Sequence, residues 1–138
     1  MNTTDRRPLS LAAHAAAEPL VVALYIAGPW IFGFSDTSDA KTISIILGIL
    51  VALTAFTTRW RMAVARLVPL QMHRAMDLMV AAVAIVSPFV FGFSDVGGPT
   101  RFLIVMGLLE GGAALMTRWD DRDEFAVTSV DRGSSAAA

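Results

Sequence analysis

The chain contains no cysteine, which excludes disulfides, thiolate metal sites and cysteine nucleophiles together. It is also poor in charge: 17% of its 138 residues are charged, against 55% apolar. A soluble domain of this size carries roughly 25% charged residues. The net charge of −1 leaves no basic footprint for a nucleic acid. Glycine-rich phosphate loops, GxSxG elbows and HExxH pairs are all missing, so no motif points to an enzyme.

What the chain has instead is long apolar runs. Mean hydropathy is +0.60. Charges avoid four windows, about 19–34, 42–57, 78–93 and 102–116, the last broken only by Glu110. Each run is 15 or 16 residues, and small or amphipathic flanks extend it toward the ~20 residues that cross a bilayer. Without water, such segments must satisfy their own backbone groups, which predicts helices. Arg6-Arg7 before LSLAAHAAA resembles a twin-arginine export signal. The apolar stretch between Arg7 and Ala15 is too short for a signal core, so the segment is read as mature protein.

The string GPWIFGFSD at 28–36 returns as SPFVFGFSD at 87–95, an offset of 59. Residues 10–61 slide onto 69–120 without a gap, and roughly a third of positions are identical, including His14/His73 and Thr58-Arg59-Trp60 against Thr117-Arg118-Trp119. The predicted organisation is an N-terminal segment 1–9, repeats 10–61 and 69–120, a connection 62–68 and a disordered tail 121–138. Each repeat is a two-helix hairpin. Two crossings per unit put both copies the same way up, so the expected fold is an all-α integral membrane protein. Its four transmembrane helices form two tandem hairpins related by a pseudo-twofold axis along the membrane normal. Nine arginines flank one side, against Lys41 and Arg101 on the other. The positive-inside rule then makes both termini and the 59–72 connection cytoplasmic.

Pro29 and Pro88 cannot donate to the carbonyls of Tyr25 and Ala84, so each odd-numbered helix should kink or loosen there. Gly28 and Ser87 leave room for a neighbouring helix or a compensating hydrogen bond. The aromatics Trp30, Phe32, Phe34, Phe89, Phe91 and Phe93 are expected at the outer interface, with Ser38 or Asp39 capping the second helix. Ser44, Gly48 and Ala52, and Gly107 with Gly111, form small-residue ridges for internal packing.

A doubled hairpin whose first helix ends in Ser-Pro-Trp resembles the SPW-repeat membrane proteins of bacteria and archaea. Here the motif reads Gly28-Pro29-Trp30 and Ser87-Pro88-Phe89, each copy departing at one position. The resemblance implies a multi-pass protein of a bacterial or archaeal cell membrane, with no assigned activity.

The two histidines, His14 and His73, are repeat mates, each followed four residues later by a carboxylate, Glu18 or Asp77. Two readings fit them. Imidazole and carboxylate are metal ligands, so the pairs can meet as a metal or bis-histidine haem site. Alternatively Arg59 and Arg118 pair with Glu18 and Asp77 to pin each hairpin, leaving the histidines in the headgroup layer and Trp60 and Trp119 as interface anchors. Glu110 has Val51 as its mate, so duplication does not account for it; an intramembrane carboxylate suggests proton or cation handling. The connection RWRMAVARLVPLQM reads either as a surface-lying amphipathic piece or as a solvated loop.

Three functions remain open: a non-enzymatic structural or accessory component, in the lipid bilayer with a membrane-protein partner or a second copy of itself; a haem- or metal-binding redox protein; and a small transporter or channel using Glu110.

Overall fold

The computed structural model describes residues 7–61 and 63–119; the expected tail at 121–138 lies outside them. Four helices follow in order, α1 (Leu11–Ile31), α2 (Ser38–Thr57), α3 (Leu70–Val90) and α4 (Gly97–Met116). Each has 20 or 21 residues, about 30 Å of helix, which matches a bilayer core. All four are apolar enough to cross it, and only 33–39% of each span is buried inside the protein. The remaining faces carry exposed Leu20, Ile46, Leu53, Val86 and Leu108. Apolar surface on that scale belongs in lipid; this is an all-α membrane protein.

The buried stripes are narrow and spaced by three and four residues: His14, Glu18, Tyr25 and Gly28 on α1, for example, and Phe102, Met106, Glu110 and Ala114 on α4. Small residues set the close approaches. A Cβ added at Gly48 would fall 2.8 Å from Ile26 of α1, and one at Gly107 would fall 2.7 Å from the Ala81 carbonyl oxygen of α3. Both expected ridges therefore pack α2 on α1 and α4 on α3. The α2–α3 seam is packed more closely than the α1–α4 seam.

The repeated string has three separate jobs. Pro29 frees the Tyr25 carbonyl, and the Ser44 hydroxyl of α2 donates to it at 2.5 Å. Pro88 frees the Ala84 carbonyl, and Ser87 donates to it at 3.1 Å. A Cβ on Gly28 would meet the Phe102 ring at 2.5 Å, so glycine admits α4 there. Gly33 and Gly92 then end the helices at φ +69° and +72°, a left-handed conformation that suits glycine. The N–H groups of Phe34 and Phe93 return to the carbonyls of Pro29 and Pro88 at 2.8 and 2.9 Å, closing a Schellman turn. The expected aromatic belt consequently splits: Trp30, Phe32, Phe89 and Phe91 are exposed, whereas Phe34 and Phe93 are tucked into the core.

One expectation changes. Thr37, without a side-chain hydrogen bond, is the N-cap of α2, and Ser38 and Asp39 are already helical. Among its described residues the connection is a loop without helix. Its Val64, Ala65, Leu67 and Val68 N–H groups fold back onto the carbonyls of Phe56 and Thr57, satisfying the open end of α2. At the same end Leu9 bridges to Thr117, as Val68 does to Thr58.

Candidate metal centre

About one turn inside that end, α1 and α3 bring His14, Glu18, His73 and Asp77 to one point. Their relative exposures are 4%, 5%, 0% and 1%. His14 Nε2 lies 3.0 Å from Glu18 Oε1 and 3.3 Å from Asp77 Oδ2. His73 Nε2 lies 3.5 Å from Glu18 Oε1 and 3.2 Å from Asp77 Oδ1. Each imidazole thus faces the carboxylate of its own helix and that of the other repeat. One ligand atom from each residue fits within 4.8 Å of all the others.

Threonines fix the ring orientation. His14 Nδ1 lies 2.9 Å from Thr117 Oγ1, and His73 Nδ1 lies 2.7 Å from Thr58 Oγ1. Each hydroxyl already donates its single proton to a carbonyl at 2.6 Å, Thr117 to Ala113 and Thr58 to Thr54. The threonine can therefore only accept from the ring, which places the proton on Nδ1. Nε2 of both rings is left facing the carboxylates. Neither Nε2 makes a hydrogen bond of sound geometry to them despite the short distances. Atoms about 2.0–2.1 Å from a tetrahedral ion stand roughly 3.3–3.4 Å apart, with lone pairs aimed at the centre and not at each other. The four imidazole–carboxylate spacings lie near that value but engage both Asp77 oxygens, and one atom from each residue spans up to 4.8 Å, so the side chains would close somewhat on an ion. They leave no slot for a haem, because carboxylate oxygens occupy the space a macrocycle would need between the imidazoles.

Trp60 and Trp119 close the end. Ring centroids are 4.4 Å apart for Trp60 and His73 and 4.9 Å for Trp119 and His14. Each indole donates to a carbonyl of the preceding helix, Trp60 to Ala55 and Trp119 to Ala114. The expectation that they are interface anchors is corrected: exposures of 1% and 8% make them walls of the site. The expected Arg59–Glu18 and Arg118–Asp77 pairs do not form among the described residues. Extended backbone at Thr58 and Thr117 turns the aromatic neighbour inward, and the carboxylates face histidine instead.

The chain that carries this centre also matches a family model, that of the SPW repeat domain, over residues 12–117. It belongs to the SPW repeat family. No curated protein and no solved structure matches the chain. In this SPW repeat protein the motif residues Gly28-Pro29-Trp30 and Ser87-Pro88-Phe89 sit at the opposite ends of α1 and α3 from the four clustered groups. The motif builds helix contacts and turns; it does not touch the centre. Thr58 and Thr117 were not singled out as site residues in the sequence. Their signal was the repeated Thr-Arg-Trp triplet, which does not reveal which of three neighbours points inward.

Glu110 stands apart. It is 5% exposed and faces the Tyr25 hydroxyl, a contact that falls short of well-aligned hydrogen-bond geometry on either side. The two are polar neighbours across the α1–α4 seam. Beyond Tyr25 the core is mostly apolar, with Phe34, Phe93, Phe102 and Leu103, and the buried Ser87 hydroxyl donates to the Ala84 carbonyl.

Proposed function

We propose that this SPW repeat protein is a non-enzymatic membrane protein that holds one divalent transition-metal ion at His14, Glu18, His73 and Asp77. The carrying observation is the convergence of two imidazole Nε2 atoms and two carboxylates on one buried point. Two carboxylates balance a divalent charge, which favours burial of the ion in a low-dielectric layer. Imidazole with carboxylate suits zinc, cobalt or iron better than calcium or magnesium. Four protein ligands fill a tetrahedral shell and leave no open position for a substrate, which favours a structural or carrier role over catalysis. The apolar wall beyond Tyr25 argues against a conduit crossing the membrane. The arginine asymmetry supports placing the centre near the cytoplasmic face of a bacterial or archaeal cell membrane.

The same contacts favour a second reading. Each histidine faces carboxylates of both repeats, so the four groups also serve as an ionic brace in a structural or accessory protein that acts through a membrane partner. Purified full-length protein is titrated with Co2+ while ligand-field absorption and bound metal are measured. One tetrahedral Co2+ per chain, lost in His14→Ala and His73→Ala, supports the metal centre. No uptake at saturating Co2+, with lower thermal stability in His73→Ala, overturns it in favour of the brace. Native mass spectrometry of gently extracted protein then shows whether a partner subunit or a second copy accompanies it.

A further inference from the structure

The two seams between the repeats differ at the end away from the four clustered groups. There α1 and α4, which meet less closely than α2 and α3, leave a recess of about 440 Å³ walled by Leu24, Phe32, Phe102, Val105 and Leu109. Packed rings hold its shape. The Phe102 ring centroid lies 5.2 Å from that of Phe32 and 5.1 Å from that of Phe34, and Gly28 admits the ring by lacking a Cβ.

The dimensions select an occupant. Gly98, at the mouth of the recess, and Leu109 are eleven residues apart on α4, which is about 16 Å of helix. That is close to half of the ~30 Å hydrocarbon core, so the recess runs from one interface to the midplane. A helix is about 10 Å across and crosses both leaflets, so one from a second copy neither fits the recess nor ends with it. An acyl chain of a single leaflet does both.

The mouth is positive. Gly98 and Arg101 stand where the first repeat has Asp39 and Thr42. A Cβ at Gly97 would fall 3.2 Å from Arg101 Nη1, so the guanidinium folds back over the first turn of α4, and the space around Gly98 is open. Arg101 is exposed and forms no ion pair, with Asp95 or any other acid, among the described residues. Val96 caps α4 without a side-chain hydrogen bond, so the positive end of the helix dipole adds to the same field. At the other seam Asp39 occupies the first turn of α2. Recess and unpaired cation therefore coincide at α1–α4.

We infer that the α1–α4 recess binds one anionic phospholipid of the leaflet away from the metal centre, with an acyl chain along Phe102, Val105 and Leu109 and the phosphate at Arg101. A planar guanidinium meets phosphate through two parallel hydrogen bonds. The apolar walls hold the chain, and the headgroup charge sets the preference, because a zwitterionic headgroup brings its own cation to compete for the phosphate. The site stands on the membrane fold alone and is independent of the metal reading.

The test is native mass spectrometry of the full chain in detergent micelles, titrated with dioleoyl phosphatidylglycerol or dioleoyl phosphatidylcholine. One phosphatidylglycerol per chain is expected, held about fivefold or more tightly than phosphatidylcholine, as one basic residue at an anionic headgroup supplies. Arg101→Gln should remove that preference. Lys41→Gln, which takes the same charge from the same end, should keep it. Val105→Trp, a change at an exposed position, should fill the recess and release the lipid. A preference that survives Arg101→Gln, or lipid that survives Val105→Trp, overturns the site. Equal loss in Lys41→Gln marks diffuse charge attraction and also overturns it. Equal affinity of the unmodified protein for the two lipids reduces the recess to ordinary lipid contact. A dimer without lipid, dispersed by Val105→Trp, gives the recess to a second copy instead.

Discussion

Replacing Thr58 by valine keeps the shape of the side chain and removes one acceptor. In the structure the Thr58 hydroxyl donates to the Thr54 carbonyl and accepts from His73 Nδ1 at 2.7 Å, and His73 is fully buried. Valine therefore strands a ring N–H where no water reaches. The stranded donor should lower stability by about 1–3 kcal/mol. The same loss frees the ring to rotate or to change tautomer, and removing such an outer partner weakens metal binding by about 10–100-fold. Thr58→Ser keeps the hydroxyl and should restore most of both quantities. Thr117→Val should repeat the effect through His14. Thermal unfolding in detergent and Co2+ titration by absorbance check the two arms separately. A Thr58→Val protein as stable as the parent, with unchanged Co2+ affinity, would refute the assignment of the Nδ1 proton. So would Thr58→Ser proving as harmful as Thr58→Val.

Three further outcomes follow from the packing. Gly107→Ala should lower stability by about 1–3 kcal/mol, because its Cβ meets the Ala81 carbonyl oxygen at 2.7 Å; Gly112→Ala, with open space around its Cβ, should be neutral or slightly stabilising, and chemical unfolding compares the pair. Gly92→Ala meets no neighbour but holds φ at +72°, so strain alone should destabilise it by about 1–2 kcal/mol. Ser44→Ala should cost about 1–2 kcal/mol by leaving the Tyr25 carbonyl unpaired, and adding Pro29→Ala should recover part of that loss by restoring an N–H donor; a double-mutant cycle with no coupling would show that the two residues act independently.

Much of the fold was legible because lipid demands continuous apolar runs, and the gapless offset marked out the hairpins. A missing N–H names the carbonyl it abandons but not the donor that replaces it: Ser44, read as a packing residue, meets the Tyr25 carbonyl. The depth and direction of the polar groups were not legible. Lipid-facing and core-facing residues are both apolar here, so α4 shows no polar face to orient Phe102 or Glu110, and nothing in the sequence says which stripe turns inward. Spacing placed His14 beside Glu18 on one helix. The repeat offered the meeting with Asp77 only as one of two readings, because that contact depends on how two hairpins dock. Arg59 and Trp60 fall just after a helix end, where helical periodicity no longer fixes direction. Charge complementarity favoured the arginine on paper, whereas the folded chain turns the indole inward. The FGF string looked like interfacial aromatics, although its glycine carries the turn and its second phenylalanine enters the core.

The strap that joins Val68 to the end of α2 has an unlinked twin. Val68 N–H meets the Thr57 carbonyl and Arg59 N–H meets the Val68 carbonyl; Leu9 N–H meets the Met116 carbonyl and Arg118 N–H meets the Leu9 carbonyl. One of these junctions is covalently continuous within a few residues, and the other is closed by hydrogen bonds alone. In terms of connectivity the molecule is a ring of two hairpins with one seam unsewn. A circular permutant cut at 62 and sewn from 119 to 7 would exchange the two junctions and keep the same neighbours. The two junctions thus share one hydrogen-bond pattern, although the α2–α3 seam is packed more closely than the α1–α4 seam.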